Sequence, residues 1–321
     1  MCRRLRLRLK MLAAFDAYNE ECKGIMTTIA TRLQAVRSRI EAAAAAAGRS
    51  PADIRLIAVS KTFPAAAIAE ARAAGQVAFG ESYVQEAVAK IAALPSLEWH
   101  VADGQRGDEQ REGGVRPSAG VRQRDVDGAR EAVELAHGSA SSVARPEAPR
   151  SGASSPRGPL LLPLEWHFIG PIQSNKTRQI AENFHWVHAV DRLKIAERLS
   201  IARTADLPLL EICLQVNVSG EESKSGVPPD DVLALAQAAS RLPGIRLRGL
   251  MTIPEPTPNT GLQRARFRQL RKLKEDLVSH GIALDTLSMG MSDDLEAAIA
   301  EGATLVRVGR AIFGERPPHP F

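Results

Sequence analysis

The segment Ile54-Arg-Leu-Ile-Ala-Val-Ser-Lys61 combines a short apolar strand with a lysine directly behind it. Five of its first seven residues are apolar, and a helical pattern from about 64 to 74 follows, closed by Gly75. A second strand-like run at 77–80 and a second helical run at 83–93 come next. Apolar strands that alternate with amphipathic helices predict a parallel sheet covered on both faces.

The same alternation continues through the C-terminal part of the chain and brings the count to eight strand units. Strand-like runs lie at 165–170, 186–190, 209–218, 245–253, 286–290 and 304–308, with helical patterns at about 175–183, 191–203, 230–241, 261–280 and 293–300. Eight such units predict a single closed (β/α)8 barrel of the TIM type. The alternative is an open doubly wound sheet, but the chain has no Gly-x-Gly-x-x-Gly turn to support it.

One long segment interrupts the pattern before the third strand. The tetrapeptide Leu97-Glu-Trp-His100 recurs as Leu164-Glu-Trp-His167, and the residues between the copies, 101–163, contain 9 Gly, 6 Pro and 7 Ser. Such a composition buries too little apolar surface to offset the entropy lost on ordering. We therefore predict a disordered insertion at 101–163 within a barrel domain spanning 26–316, with the third strand formed by the second copy.

The charge distribution argues against a nucleic-acid-binding protein. The chain carries a formal charge of +5, but residues 1–25 hold six Lys/Arg against three Asp/Glu and supply +3 of it. The basic run at 264–274 has apolar residues at helical spacing, which is typical of a solvated helix face. We interpret 1–25 as a disordered extension or the result of a mis-called start, because Met26 opens a convincing helix.

The remaining composition predicts a cytoplasmic protein without a membrane partner. No apolar stretch reaches the ~18 residues of a membrane span, and the Arg-rich start lacks the apolar core of a secretory signal. Three scattered cysteines, without metal-ligand spacing, favour a reducing compartment. His167, His185 and His188 lack a supporting carboxylate cluster, so we interpret them as satisfied core or surface histidines and predict no metal site. Nothing in the pattern demands a dimer, and we expect a monomer.

Lys61 lies where a (β/α)8 barrel carries its function, at the carboxyl end of a strand. A lysine in the barrel mouth is partly desolvated, which favours the neutral amine that attacks an aldehyde. A lysine that reaches past the strand end into water is an equal alternative from position alone. Strand ends rich in Ser and Gly at 287–292 and 305–310 tilt the balance, because such barrels often hold phosphate after strands 7 and 8.

Seven ordered motifs resemble those of one known family. They are Ala58–Thr62, Phe79–Glu86, Trp166–Lys176, Val216–Val218 with Ser223–Gly226, Gly249–Met251, Leu287–Asp294, and Val306–Gly309 with Ile312–Gly314. On these motifs the chain is similar to the YggS/PROSC family of pyridoxal phosphate-binding proteins. The resemblance covers nearly all of 27–316 outside the insertion, and it implies a barrel like the N-terminal domain of alanine racemase.

The resemblance implies that pyridoxal 5′-phosphate (PLP) is the cofactor and that its aldehyde forms a Schiff base with Lys61. Four residues match the positions at which the family holds the phosphate: Ser288, Ser292, Gly309 and Arg310. Arg307 is placed to face the cofactor ring, and its contact with the pyridine nitrogen is our inference. The other candidate cofactor-binding residues are Ser82, Asn217 and Met251. Ser82 replaces the Asn of many relatives, and Arg310 a Thr or Ser.

The resemblance implies a role in intracellular PLP (vitamin B6) homeostasis, with PLP-dependent apo-enzymes as candidate partners. The alternative is a PLP-dependent amino-acid racemase or a related enzyme. Racemases of this fold type use a tyrosine from a second domain, whereas only Tyr18 and Tyr83 occur here. An arginine at the pyridine nitrogen would also weaken carbanion stabilisation. We therefore expect a cofactor-binding protein without catalytic residues.

Overall fold

The computed structural model describes residues 29–94, 163–221 and 225–315. The predictions for 1–25 and for the insertion at 101–163 lie outside the described residues.

Eight parallel strands close into one barrel in chain order. They are β1 (Arg55–Val59), β2 (Ala78–Glu81), β3 (Glu165–Phe168), β4 (Trp186–Val190), β5 (Leu210–Gln215), β6 (Ile245–Met251), β7 (Thr286–Ser288) and β8 (Leu305–Val308). The ring closes where β8 pairs with β1, with Ile57 opposite Arg307 and Ala58 opposite Val308. The predicted (β/α)8 barrel is confirmed, and the second copy of the repeated tetrapeptide forms β3.

Helices connect the strands and cover the outside of the barrel. Residues 29–46 form α1. The others are α2 (Ala65–Ala73), α3 (Val84–Ala93), α4 (Thr177–Asn183), α5 (Leu193–Ala202), α6 (Val232–Ala239), α7 (Thr260–Ser279), α8 (Leu295–Ala300) and α9 (Arg310–Phe313). None of the helices in the described ranges has the length and apolar character that crossing a bilayer requires.

The core has an apolar layer between the strands and the helices. All five residues of β4 are buried, as are four of the five residues of β1, which agrees with strands covered on both faces. On α1, Leu33, Val36 and Ile40 are buried at helical spacing. The barrel interior is more polar, because the fully buried side chains there include two histidines and a serine: His167, His188 and Ser288.

Glycine determines how the chain leaves β7. The sequence predicts a strand over 286–290, but the ladder stops at Ser288. Gly290 has a φ of 95°, a conformation that L-residues with a side chain rarely adopt. A Cβ at this position would also lie 2.6 Å from the Cβ of Ala298 on α8. The chain therefore turns sharply here and packs closely on α8.

Candidate functional site

The carboxyl ends of the eight strands form one rim, and the candidate residues predicted from the sequence lie along it. Lys61 follows β1, Ser82 follows β2 and Asn217 follows β5; Met251 ends β6, Ser288 ends β7, Ser292 follows β7, Arg307 lies in β8, and Gly309 and Arg310 follow β8. This is the face on which such barrels build their ligand sites. The strand that carries Arg307 is the direct neighbour of the strand before Lys61.

Lys61 is half-buried in the turn between β1 and α2, and both of its neighbours in the chain are anchored from α3. The carbonyl of Ser60 accepts a hydrogen bond from Lys90 Nζ at 2.8 Å. The backbone N–H of Thr62 donates to Glu86 Oε1 at 2.6 Å. Thr62 has a φ of 71°, a conformation that costs about 1 kcal/mol or more for a residue with a side chain. The two bonds from α3 hold the turn in this shape.

These anchors belong to a buried charge cluster formed by Ser60, Glu81, Glu86 and Lys90. Lys90 Nζ lies 2.8 Å from Glu81 Oε1 and 2.5 Å from Glu86 Oε1, and the Ser60 hydroxyl donates to Glu81 Oε1 at 2.7 Å. Burial raises the pKa of Glu81, and the charge and hydrogen bond of Lys90 oppose that rise. Among the described residues, Glu81 Oε2 has no hydrogen-bond partner. The cluster depends on Lys90 to offset two carboxylates.

Lys90 and Glu86, which support the lysine turn, are not among the residues predicted from the sequence. A signal was present: Lys90 falls within the stripe of α3 that also contains Val84 and Ala87, and all three are buried. A buried lysine in an amphipathic helix requires acidic partners, because an isolated buried ammonium is strongly disfavoured.

Arg307 is fixed inside the barrel just beneath the rim. Its guanidinium donates from Nη1 to Ser288 Oγ at 2.6 Å and from Nη2 to the carbonyl of Thr252 at 2.9 Å. The residue is 3% exposed, and burial lowers its pKa to about 10, while Asp294 acts in the opposite direction. Arg307 is therefore a cation at neutral pH, and its orientation is defined by Ser288 at the end of β7 and by Thr252, which directly follows β6.

The Ser288 hydroxyl faces the barrel interior. Besides the bond from Arg307, its Oγ lies 2.7 Å from Nδ1 of His188. Ser288 is one of the residues predicted to contact a phosphate. In this structure its hydroxyl is engaged by both interior partners, and its contact with a phosphate stays a prediction.

Two glycines bring the backbone close together at the rim. A Cβ on Gly309 would lie 3.1 Å from the carbonyl oxygen of Val59, two residues before Lys61. A Cβ on Gly170 would overlap the carbonyl of Ser82. The ends of β8 and β3 therefore pack directly against the chain segments that carry Lys61 and Ser82.

The other candidates are distributed around the rim. Asn217 binds its own loop, since its amide donates to the carbonyl of Glu221 at 2.8 Å and its Oδ1 accepts from the N–H of Gly220 at 3.1 Å. Met251 is fully buried and pairs with Ser288 in the sheet. The carbonyl of Ser292 accepts from Arg39 on α1, and Arg310 is exposed at the start of α9. Within the described ranges, no group of three or more His, Cys, Asp or Glu side chains is arranged to hold a metal ion.

Comparison with known proteins gives a consistent result. The family model of the alanine racemase N-terminal domain matches residues 31–317. A pyridoxal phosphate homeostasis protein of Pseudomonas aeruginosa is 50% identical over 291 residues, which are 91% of this chain and 97% of that protein. The protein of the same name from Escherichia coli K12 is 43% identical over 291 residues, covering 91% and 98%. The structure of PipY from Synechococcus elongatus PCC7942 with PLP bound matches with a TM-score of 0.62 and 33% identity, covering 89% of this chain and 100% of PipY.

Proposed function

The chain belongs to the family of pyridoxal phosphate homeostasis proteins, and we propose that it binds PLP at the rim of its barrel with Lys61 bonded to the cofactor aldehyde. The observation that carries this proposal is the pairing of β1 with β8. It brings the strand that carries the buried, oriented guanidinium of Arg307 beside the strand that leads into Lys61. Because PipY, 33% identical to this chain, has been solved with PLP bound, the same ligand is the natural candidate here.

The residues at this rim have the chemistry that PLP requires. PLP supplies an aldehyde that reacts with amines, an electron-withdrawing pyridine ring and a phosphate dianion. Lys61 would hold the aldehyde, and Arg307 would face the ring. Gly309 lies so close to Val59 that a side chain at position 309 would press against the backbone just before Lys61.

We assign the phosphate contacts to residues after β7 and β8. The candidates are Ser288, Ser292, Gly309 and Arg310, and the hydroxyl of Ser288 also accepts a hydrogen bond from Arg307. Ser82 and Met251 would border the cofactor. Asn217 would shape the loop after β5, since its side chain binds that loop.

The same geometry favours holding the cofactor over amino-acid chemistry. A PLP enzyme that deprotonates its substrate benefits from an acidic partner that keeps the pyridine nitrogen protonated. Arg307 is a hydrogen-bond donor and remains charged, so it would favour the unprotonated ring. Tyr83, the tyrosine near the rim, is 45% exposed at the start of α3. We therefore propose a role in maintaining the PLP pool of the cytoplasm, with PLP-dependent apo-enzymes as recipients.

The visible absorption spectrum tests the cofactor proposal. Purified protein incubated with PLP is expected to show a visible band, which borohydride abolishes while fixing the cofactor covalently on the peptide that contains Lys61. Lys61→Ala is expected to lose both the band and the covalent label. Lys194→Ala, an exposed lysine on α5, is the matched control and should behave as wild type. A label that persists in Lys61→Ala would overturn the assignment of the lysine.

A racemisation assay distinguishes a PLP-holding protein from a PLP-dependent racemase. Protein loaded with PLP is incubated with D- or L-alanine, and the enantiomer ratio is followed by chiral chromatography. We expect no conversion above that given by free PLP. Turnover on the order of 1 per second or faster, as in ordinary enzymes, would favour the racemase instead.

A further inference from the structure

A continuous line of polar side chains runs through the barrel interior from the rim to the opposite end. We call it the polar chain; its members are Arg307, Ser288, His188, His167 and Glu165. Three successive hydrogen bonds are 2.6 Å from Arg307 Nη1 to Ser288 Oγ, 2.7 Å between Ser288 Oγ and His188 Nδ1, and 3.0 Å between His188 Nε2 and His167 Nδ1. The last link is an electrostatic contact, because His167 Nε2 lies 3.1 Å from Glu165 Oε1 without the alignment of a hydrogen bond. Ser288 ends β7 at the rim, whereas Glu165 begins β3 at the other end.

The two ends of the polar chain have fixed hydrogen-bonding roles. Arg307 is a guanidinium and can only donate. Glu165 is a carboxylate: burial opposes ionisation, but His167 and Arg55 lower its pKa to about 2, so at neutral pH it can only accept. Arg55 secures this carboxylate by donating from Nη1 to Oε1 at 2.9 Å.

The histidines between these ends are neutral. Both rings are fully buried. Burial lowers the pKa of His167, although Glu165 raises it, and burial together with His167 and Arg307 lowers the pKa of His188 well below its usual value. A neutral imidazole has one donor and one acceptor nitrogen. A ring that donates at one nitrogen therefore accepts at the other, so the role of one ring fixes the role of the next.

The charge of Glu165 and the hydrogen bonds of the polar chain together favour one arrangement of protons. His167 places its Nε2 proton toward the Glu165 carboxylate, which attracts it, and its Nδ1 then accepts from Nε2–H of His188. Nδ1 of His188 then accepts from the Ser288 hydroxyl, whose oxygen accepts from Arg307. The reverse arrangement would set the lone pair of His167 Nε2 against the Glu165 carboxylate and would leave the serine proton without this acceptor.

We propose that His188 and His167 are positioning residues for Arg307, because they orient the Ser288 hydroxyl as an acceptor and so hold the guanidinium toward the cofactor ring. The link to the ring rests on the proposed function, whereas the direction of the polar chain does not. The Ser288 hydroxyl links the histidines to Arg307. Because its proton is donated to His188, its oxygen lone pairs face the guanidinium of Arg307.

The ring tautomers test the direction of the polar chain without cofactor. The full chain is labelled with 15N-histidine, and long-range 1H–15N spectra are recorded at neutral pH. Signals of the two rings are identified by their loss in His167→Gln and His188→Gln. Both rings are expected to be neutral with the proton on Nε2. A proton on Nδ1 of either ring, or an imidazolium, overturns the inference.

The effect on the cofactor tests the positioning role. His188→Leu removes the acceptor for Ser288 and is expected to weaken PLP binding about tenfold, the effect of losing one buried hydrogen bond. His188→Gln keeps an acceptor and a donor and is expected to retain most of the affinity. His280→Gln, a half-exposed histidine beside Asp276 on α7, is the control. With ring-15N-labelled PLP, the pyridine nitrogen signal should shift in His188→Leu and remain near wild type in His188→Gln.

The outcomes separate the two proposals. If wild-type protein binds no PLP, the proposed function fails, and the tautomers still decide the direction of the polar chain. If PLP binds but His188→Leu changes neither the affinity nor the pyridine signal, the positioning role is wrong. Should His188→Leu not fold, Ser288→Ala removes the hydroxyl that accepts from Arg307 and is judged by the same two readouts.

Discussion

The carboxylate of Glu86 on α3 accepts a hydrogen bond from the backbone N–H of Thr62 at 2.6 Å. This contact, 24 residues apart in the chain, joins the helix after β2 to the turn that contains Lys61. Since Thr62 has a φ of 71°, the bond stabilises a backbone shape that the turn would not favour alone. The backbone turn that contains Lys61 is thus held by a side chain of the next βα unit.

Glu86→Ala should loosen the lysine turn. We expect a loss of about 1–3 kcal/mol in unfolding free energy, because the change removes a hydrogen bond to a charged group and one partner of Lys90. PLP should also react more slowly with Lys61. Urea denaturation and stopped-flow absorbance measure these effects. Glu182→Ala, which removes a carboxylate from the exposed Arg178 pair on α4, is the control and should leave the unfolding free energy close to the wild-type value.

Lys90→Met should be the more damaging change in the buried charge cluster. It leaves two carboxylates, one of them fully buried, without their ammonium partner, and breaking a buried pair in this way costs about 3–5 kcal/mol. Combining it with Glu81→Gln should recover part of that loss, because the uncompensated buried charge disappears. The midpoints of denaturation of the single and double variants decide the matter, and equal midpoints would contradict a role for charge compensation.

Stability at acid pH should depend on Glu165. Its pKa is lowered from 4.5 to about 2 in the folded protein, with burial opposing and His167 and Arg55 causing the shift. A depressed carboxylate contributes stability above the unfolded value, and the contribution is lost as the pH falls through the folded value. We expect the free energy of unfolding to fall as the pH drops from about 4.5 to about 2. The unfolding free energy, obtained from denaturation curves at several pH values in this range, should depend less steeply on pH in Glu165→Gln than in the wild type. If that variant keeps the wild-type slope, the lowered pKa is refuted.

Gly309→Ala tests the close approach of β8 to β1. The new Cβ would lie 3.1 Å from the carbonyl oxygen of Val59, so the backbone two residues before Lys61 must shift by a few tenths of an ångström. We expect a severalfold loss of PLP affinity, measured by fluorescence titration, with a stability cost of about 1 kcal/mol. Gly261→Ala on α7, where the nearest atom belongs to a side chain, is the matched control. Affinity that stays at the wild-type value in Gly309→Ala would show that the rim tolerates the methyl group.

Local sequence patterns predict much of this structure. The barrel and the position of Lys61 at a strand end follow from apolar runs, helical spacing and turn residues, each of which acts over a few neighbouring positions. The basic helix at 264–274 was interpreted as a solvated face, and the structure adds that Arg264 and Arg268 converge on the buried Glu301. That pairing joins α7 to the turn after α8 and could not be deduced from spacing within the helix.

Hydrophobic periodicity is a local property, so the number of strands and the end of the barrel at which Lys61 lies follow from the amino-acid sequence. Which polar side chains meet depends on how distant strands pair in the closed barrel. His188 and Ser288 are 100 residues apart in the chain, and successive side chains of a strand point to opposite faces. Strand position therefore located Ser288 at the rim without showing that its hydroxyl faces inward to Arg307. Closure of the barrel brings β3, β4, β7 and β8 around one interior, and only this proximity turns two isolated histidines into a continuous chain of polar contacts.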